Sequence, residues 1–390
     1  MAEVYEWIVV GGGLTGAALA YQLTRSGSKR VLLLETHAFP QGATRYSYGG
    51  IPYWSGTTPL TKQLCQEGIA IHRQLSEELG ADTEFRDCIL LLTISPIDDP
   101  VTIASLYADC GVQPLLLGVE SACELEPQLN PKGIAGAIKF NHAHVNPLAL
   151  LSAYLKAFQR LGGVCIYQEV QKLRIERQTV ESVVVADGTE YFAYGVVICA
   201  GGWTRSLLKQ HNINCRVYFT HAELIEIPPT GHELRCMIMP ADTKRYQLEA
   251  TAADPISSVS WEEMETDAFP PSIDAGAVQF RDGTIRIGQL SRILSDPYAS
   301  VDQEKSEKDI RKAVSRILPT IGQLKGTWHR CLVAFTADGL PLVGKLKYPN
   351  LYVFSGFTSP MVYVPTLARR FADYLHGARD KIIEQLRPER

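Results

Sequence analysis

The apolar positions near the N-terminus form two short runs separated by a segment with helical periodicity. Residues 5–10 (YEWIVV) and 30–34 (RVLLL) are mostly apolar, as expected for buried strands. Between them, alanines and leucines of residues 17–25 recur at helical spacing and stop before Gly27, a residue typical of the end of a helix. The pattern predicts a strand, a helix and a second strand.

The same periodicity predicts further elements along the chain. Helices are expected over residues 60–79, 148–161, 305–318 and 366–375, with Pro365 in the first turn of the last one. Strands are expected over residues 85–94 and 164–167, and a hairpin over 183–198 with the two-residue turn Asp187-Gly188. We expect strands and one helix within residues 216–325, and a polar tail over 379–390.

A glycine-rich loop, GGGLTG, connects the first strand to the first helix. Gly11 permits a tight turn, Gly13 lets the backbone approach a pyrophosphate, and Gly16 brings the helix against the strand. The helix N-terminus, beginning near Leu14 and Thr15, supplies unpaired amides to the anion. This order of elements favours a dinucleotide site over a glycine turn without a ligand.

Glu35 follows the second strand, 19 residues after Gly16. A carboxylate at this place accepts hydrogen bonds from both ribose hydroxyls and repels a 2′-phosphate. The motif alone is compatible with NAD or FAD. Its position at the beginning of the chain, with matching segments far along the sequence, favours FAD.

Length and charge limit the class of protein. A chain of 390 residues is expected to form two domains, and its 46% hydrophobic and 21% charged residues are ordinary for a soluble globular protein. A formal net charge of -4 gives no indication of nucleic-acid binding. Because no apolar run reaches 18 residues, we expect no membrane span.

The nine cysteines are scattered singly and include no CxxC pair. This distribution argues against a disulfide framework and against a zinc site, so we expect no bound metal. It also suits a reducing compartment, and the N-terminus lacks the basic region of a secretion signal. We therefore expect a cytoplasmic protein.

Seven stretches of the chain together resemble the D-amino-acid oxidase superfamily of FAD oxidoreductases, which includes sarcosine oxidase, glycine oxidase and the D-amino-acid dehydrogenases. They are GGGLTG with Glu35, GATR, LLGVESACELEPQLN, HVNPLALLSAYLKAF, VVICAGGW, TADGLPLVG and LYVFSGF. The resemblance implies an α/β fold with a discontinuous, Rossmann-like FAD domain of the glutathione-reductase type and a substrate domain on a large mixed or antiparallel sheet. It assigns residues 1–80, 140–215 and 326–390 to the first domain, and 81–139 and 216–325 to the second.

The resemblance also implies which residues contact the FAD. Those matching the pyrophosphate and ribose contacts are Gly11, Gly13, Leu14, Thr15, Gly16 and Glu35. Those matching contacts to the flavin or the adenine are Thr44, Arg45, Val170, Ala200, Gly201, Trp203, Gly356, Phe357 and Thr358. Loop amides or a helix N-terminus aimed at the flavin would stabilise negative charge on the reduced ring.

Cys331 lies seven residues before Asp338 in RCLVAFTAD. Several sarcosine-oxidase relatives carry at this spacing a cysteine that bonds covalently to the flavin 8α carbon, so covalent attachment through Cys331 is one alternative. The other is an ordinary buried cysteine, because free cysteine is among the most buried residue types. A covalent bond requires a thiolate, and hence a nearby cation that lowers the pKa of the thiol.

At the substrate side, this chain differs from the family. The arginine and lysine that hold a substrate carboxylate in related enzymes correspond here to Tyr48 and Tyr363, and the glycine-oxidase arginine corresponds to Val333. The oxygen-activating lysine of sarcosine oxidases aligns near Arg286. The candidate catalytic residues are therefore Arg45, Tyr48, Arg286 and Tyr363.

Two alternatives follow for substrate recognition. The aromatic residues Tyr46, Tyr48, Tyr53 and Trp54 either bind an amine or methylated ammonium through cation–π attraction or fill the interface between the domains. Arginines of the substrate domain could alternatively bind a carboxylate, the candidates being Arg216, Arg235 and Arg245.

These observations favour an FAD enzyme that oxidises a C–N bond of a small amine or amino acid by hydride transfer to flavin N5, with O2 or another electron acceptor. A flavoprotein with little turnover that acts as an assembly factor is the alternative, because the carboxylate-binding residues are replaced. A flavin reductase or hydroxylase of the wider glutathione-reductase-like group fits less well, because TADGLPLVG accompanies the N-terminal motif.

Overall fold

The computed structural model describes residues 3–254, 261–265 and 268–390. The strands described are β1 (Val4–Val10), β2 (Val31–Glu35), β3 (Gly50–Ile51), β4 (Arg86–Ile94), β5 (Leu115–Leu117), β6 (Gly136–His144), β7 (Val164–Tyr167), β8 (Val170–Glu176), β9 (Thr179–Val185), β10 (Glu190–Ile198), β11 (Tyr218–Ile227), β12 (Met237–Pro240), β13 (Ser272–Gln279), β14 (Ile285–Arg292), β15 (Thr327–Phe335), β16 (Leu342–Lys345) and β17 (Leu351–Ser355).

The α-helices described are α1 (Leu14–Arg25), α2 (Ala43–Tyr46), α3 (Pro59–Leu79), α4 (Pro100–Ser105), α5 (Val119–Leu125), α6 (Pro147–Arg160), α7 (Thr204–Lys209), α8 (Lys244–Ala252), α9 (Gln303–Ile317), α10 (Pro319–Gln323), α11 (Pro360–Leu375) and α12 (Lys381–Gln385). Short 3-10 helices occupy Gly201–Trp203 and Trp261–Glu263.

The first sheet has the strand order β16-β17-β10-β1-β2-β7, and β8 and β9 extend it beside β10. Strands β17, β10, β1, β2 and β7 run parallel, as the alternation of strands and helices predicts. Val9 and Leu33 pack on one face with α1, α3, α6 and α11, whereas Ile8 and Leu32 pack on the other with β8 and β9. The two apolar runs are thus buried on both faces.

The second sheet has the order β15-β11-β14-β13-β12-β4-β6-β3, with β5 beside β6. Its pairs are antiparallel except for β12 with β4. Ile310 and Val314 of α9 pack with buried residues of β11, β13 and β14 and cover one face. The two sheets confirm the expected mixed α/β fold with a large second sheet.

Sheet membership differs in two places from the expected domain division. Strand β6 crosses the boundary at residue 140 and lies wholly in the second sheet, and β15 belongs to the second sheet although residues 326–390 were assigned to the first domain. The division itself stays a prediction.

The predicted beginning of the last helix is wrong. Helix α11 begins at Pro360, and Pro365 lies inside it rather than in its first turn. Pro365 has no N–H to donate to the carbonyl of Met361, but that carbonyl accepts a hydrogen bond of 2.6 Å from Nε2 of His72 in α3. The contact between α3 and α11 thus supplies the hydrogen bond that Pro365 cannot make.

Three further expectations need correction. The β9–β10 hairpin has a three-residue turn, Ala186–Gly188, because Val185 donates to the carbonyl of Thr189 and Gly188 adopts a φ of 87°. The segment 216–325 contains α8 and α10 as well as the expected helix. The polar tail includes α12, whose Ile382 and Ile383 are buried.

Among the described residues, no helix combines the length and the apolar composition needed to cross a bilayer.

Candidate functional site

A cleft of about 1610 Å³ lies where the carboxyl ends of the parallel strands face the second sheet. Residues that follow β1, β2, β7, β10 and β17 line one side of it. Side chains of β4, β6, β11, β12, β13, β14 and β15 line the other side. The carboxyl edge of a parallel sheet is the usual place for a bound nucleotide.

The glycine loop is shaped by its close contacts. Gly11 has a φ of 103°, and a Cβ at this position would lie 2.6 Å from the carbonyl oxygen of Cys199. A Cβ at Gly16 would lie 1.8 Å from the carbonyl oxygen of Gly11. Helix α1 begins at Leu14, and Gly13 provides no side-chain cap, so first-turn amides beyond that of Leu14 can bind an anion in the cleft.

Glu35 is fixed at the edge of the cleft by two main-chain donors. Its Oε2 accepts from the amide of Gly12 at 2.6 Å, and its Oε1 accepts from the amide of His37 at 3.1 Å. The hydroxyl of Thr44 accepts from the amide of Leu14 at 3.1 Å and joins the GATR segment to the helix. The loop, the helix N-terminus and the carboxylate fit the pyrophosphate and ribose of a dinucleotide.

Most of the residues predicted to bind the cofactor line this single cleft. They are Gly11, Gly13, Leu14, Thr15, Glu35, Thr44, Val170, Ala200, Gly201, Trp203, Cys331, Gly356, Phe357 and Thr358. Gly16 lies behind the loop, and Arg45 lines a separate cavity of about 120 Å³.

Arg45 and Arg286 meet at a carboxylate outside the cleft. Arg45 donates to both oxygens of Glu226, at 3.0 and 2.9 Å, and Arg286 donates from Nε to Oε2 at 2.9 Å. Burial alone would raise the pKa of Glu226, but the two arginines lower it to about 2. The structure therefore brings the two predicted catalytic arginines together, yet away from the cleft lining.

Arg286 also donates to the carbonyl of Ser47, which lies between two aromatic residues of the cleft, Tyr46 and Tyr48. The ring of Tyr46 stacks on His329 with centroids 4.7 Å apart, and the guanidinium of Arg45 lies 5.3 Å from that ring. The arginines thus hold the backbone and rings of the segment that follows Thr44.

The other two predicted catalytic residues, Tyr48 and Tyr363, line the cleft. The Tyr48 hydroxyl is buried and has no hydrogen-bond partner in the described part of the chain. Burial raises the pKa of both hydroxyls, and the Cys65 thiol adds to the effect at Tyr363. Both residues therefore present neutral aromatic rings to the cleft.

Cys331 lines the cleft from β15 and is buried, with 9% of its surface exposed. Burial raises the pKa of its thiol to about 12, against the opposing charge of Arg286. Asp338 receives an ion pair from Arg390, with Nε 2.9 Å from Oδ2, and Thr336 donates to Asp338 at 3.2 Å. The turn at Asp338 is therefore held in place by Arg390.

The wall formed by the second sheet carries residues that sequence analysis missed. The carboxylate of Asp274 on β13 lies 3.1 Å from Nε of Arg245, and both residues line the cleft. The available signal was an aspartate within SIDAGAVQ, a strand that is otherwise largely apolar. Of the three proposed carboxylate-binding arginines, Arg245 lines the cleft, whereas Arg216 donates to the carbonyl of Arg390 and Arg235 lies outside the lining.

His142 contributes to the same wall. Its Nδ1 accepts from Nε1 of Trp54 at 3.0 Å, and burial lowers the pKa of His142 to about 3. The imidazole is therefore neutral and carries its proton on Nε2.

Across the residues described, no group of three or more histidine, cysteine, aspartate or glutamate side chains is arranged to hold a metal ion. All nine cysteines are free thiols.

The family profile described as FAD dependent oxidoreductase matches residues 6–374. The 4-methylaminobutanoate oxidase (formaldehyde-forming) of Paenarthrobacter nicotinovorans is 26% identical over 383 residues, covering 94% of this chain and 43% of that protein. Glycine oxidase of Bacillus licheniformis is 27% identical over 412 residues, covering 100% and 98%. The chain thus spans less than half the length of the first relative and nearly all of the second.

Among solved structures, glycine oxidase from Bacillus cereus ATCC 14579 superposes with a TM-score of 0.78 at 20% identity, covering 99% of each chain. This likeness supports the fold described above.

Proposed function

Because the chain belongs to the family of FAD dependent oxidoreductases, we propose that it binds FAD in the cleft and oxidises a C–N bond of a small amine or amino acid. The flavin, when bound, supplies the hydride acceptor, N5, for the carbon beside the substrate nitrogen. O2 or another electron acceptor would receive the electrons. The protein binds and orients the substrate and excludes water.

One observation carries the proposal: the glycine loop, the N-terminus of α1 and the carboxylate of Glu35 converge at one end of the cleft. The amides of the helix N-terminus would bind the pyrophosphate, and Glu35 would accept from the ribose hydroxyls. The cleft continues from there to the second sheet and has room for the remainder of the nucleotide.

The N-terminus of α11 lies at the same cleft, because Ser359, Pro360 and Met361 line it after the Gly356–Thr358 loop. The partial positive charge of a helix N-terminus stabilises an anion nearby. We assign to this helix the stabilisation of negative charge on the reduced flavin ring.

The proposed catalytic residues have two kinds of role. Tyr48 and Tyr363 form aromatic walls that orient the substrate. Arg45 and Arg286 are positioning residues, since they act through Glu226 and the carbonyl of Ser47. A neutral amine needs no side chain as a base, because its lone pair assists departure of the hydride.

Cys331 is the residue on which covalent attachment depends. A thiol with a pKa near 12 is almost entirely protonated at neutral pH, and the thiolate is the nucleophile. We therefore propose that FAD is bound without a bond to Cys331.

Anaerobic mixing tests the function. The purified FAD-loaded protein is mixed with N-methylated amines, glycine and D-amino acids, and the visible absorption of the flavin is followed. Bleaching by one of these compounds supports the oxidoreductase. Retained FAD without bleaching by any of them contradicts it and favours the assembly factor.

A further inference from the structure

Charged side chains are few on the wall that the second sheet contributes to the cleft. Among the described strand residues that line it, the charged ones are Asp274 on β13 and Arg330 on β15. Three strand spacings, roughly 14 Å, separate these strands. Arg330 donates to the carbonyl of Ala299 at 2.6 Å, beside the exposed ring of Tyr298. Near β13, the charge on this wall of the cleft therefore comes from Asp274 and the charged side chains beside it.

Asp274 shares one guanidinium with a second carboxylate. Arg245 lies 3.1 Å from Asp274 and 3.6 Å from Glu249, and Glu249 accepts from the hydroxyl of Thr220 at 2.8 Å. Arg245 is thus already shared by two acidic side chains, and burial raises the pKa of both. A substrate carboxylate at Arg245 would be a third acidic group around a single cation, which a buried site disfavours.

Asp274 presents its side chain to the cleft. Arg245 approaches its Oδ2 atom at 3.1 Å. The side chain lines the cleft with 13% of its surface exposed. Burial raises the pKa of Asp274 even though Arg245 opposes the effect, as expected for a carboxylate whose charge is not fully matched.

Aromatic rings line the cleft together with this carboxylate. Tyr48 and Tyr107 pack against the buried cluster that contains Trp54 and Val278 of β13, and the rings of Trp54 and Tyr107 are 6.2 Å apart. Burial raises the pKa of the Tyr48 and Tyr107 hydroxyls, and the charge of Asp274 adds to both shifts. Aromatic faces attract organic cations, and more strongly when the site is desolvated.

We propose that Asp274, with the rings of Tyr48, Trp54 and Tyr107, binds the substrate as an ammonium or N-methylated ammonium ion that carries an N–H proton. The Asp274 carboxylate accepts this proton, which leaves the neutral amine for oxidation, and the site requires no carboxylate on the substrate. The inference rests on the proposed function and narrows its substrate class from amines and amino acids to cationic amines. It identifies Asp274 as the residue that determines this specificity.

The wild-type protein provides the first test. The FAD-loaded protein is titrated with tetramethylammonium, which has no lone pair for oxidation, and with pivalate, an anion of similar shape, while the visible absorption of the flavin is recorded. We expect saturable perturbation by tetramethylammonium and at least tenfold weaker binding of pivalate. Equal or tighter binding of pivalate, or no binding of tetramethylammonium, would overturn the inference.

Substitutions provide the second test. Asp274→Asn should weaken tetramethylammonium binding by roughly tenfold or more, whereas Asp274→Glu, which retains the charge, should restore part of the affinity. Asp109→Asn is the matched control, because it removes an exposed carboxylate outside the cleft. Unchanged affinity in Asp274→Asn would contradict the assignment even if the wild-type protein prefers the cation.

Failure of the proposed function can be distinguished from failure of the inference about Asp274. If the protein neither holds nor takes up FAD, the proposed function fails and the inference fails with it. If FAD is held and amino acids bleach it while tetramethylammonium does not bind, the proposed function stands and only the inference is refuted.

Discussion

The imidazole of His72 donates a hydrogen bond of 2.6 Å from Nε2 to the main-chain carbonyl of Met361. Met361 lines the cleft in the first turn of α11, and its carbonyl is the one that Pro365 leaves without a helical donor. Gly68 permits the close approach of the two helices, since a Cβ there would lie 2.1 Å from the carbonyl oxygen of Val362. The N-terminus of α11 is therefore held at the cleft by α3.

Replacing His72 by leucine should destabilise the protein at neutral pH. The buried carbonyl of Met361 would lose its donor, which costs about 2 kcal/mol of the free energy of unfolding. Urea denaturation at pH 7 measures the difference from wild type.

The same substitution has a predicted pH dependence. Burial lowers the pKa of His72 from 6.5 to about 4, so between these values the unfolded chain binds a proton that the folded protein does not. The stability that neutral His72 contributes is complete above pH 6.5 and falls as the pH drops, by about 2 kcal/mol at pH 5. Wild type and His72→Leu should therefore be nearly equal in stability at pH 5. A gap that stays the same at both pH values would contradict this account.

Glu35→Gln should weaken FAD binding. A neutral amide accepts the ribose hydrogen bonds less strongly than a carboxylate and does not suit both of the amides that now donate to Glu35. We expect a loss of affinity of roughly tenfold, measured by quenching of FAD fluorescence on adding the FAD-free protein. Glu3→Gln, which removes an exposed carboxylate outside the cleft, serves as the control and should bind FAD like wild type. If wild type, Glu35→Gln and the control variant bind FAD with equal affinity, Glu35 does not contribute to FAD binding.

Glu226→Gln should be strongly destabilising, because it leaves the guanidinium groups of Arg45 and Arg286 close together without a counter-charge. Breaking such a partly buried cluster costs about 3 kcal/mol. Since the pKa of Glu226 is lowered from 4.5 to about 2, its contribution is present above pH 4.5 and is lost as the pH falls toward 2.

Chemical denaturation at pH 7 and pH 3 tests this pair of expectations, with Glu233→Gln, an exposed carboxylate in the same part of the chain, as the control. The gap between wild type and Glu226→Gln should shrink at pH 3. A variant as stable as wild type at pH 7 would show that the three side chains do not form an ion cluster in solution.

Denaturation in acid tests the state of Cys331. Because its thiol is buried and protonated, we expect all of the FAD to remain in the supernatant and the precipitate to be colourless. A yellow precipitate that becomes colourless in Cys331→Ser would instead demonstrate a covalent bond.

The features that the sequence predicted are those encoded locally. The GGGLTG loop, its flanking strands and Glu35 lie within 35 residues of the N-terminus, and each has a spacing that follows from its contact with a nucleotide. The helical repeat of residues 60–79 needed no knowledge of distant parts of the chain either.

The features that it did not predict depend on partners distant in sequence. Glu226, 181 residues from Arg45, draws that guanidinium away from the cleft. The donor that compensates for Pro365 comes from His72, and Arg245 meets Asp274 only because α8 lies against β13. The periodicity of apolar residues does not indicate which polar residues pair, because a charged residue within a helix or strand is compatible with many partners.

We propose above all that the cleft at the N-terminus of α1 binds FAD and uses it to oxidise an amine. The most direct measurement is the visible absorption spectrum of the purified protein, recorded without oxygen before and after adding an N-methylated amine. We expect a flavin spectrum, with about one FAD per chain, that bleaches when the amine is added. A colourless protein that does not take up FAD would contradict it.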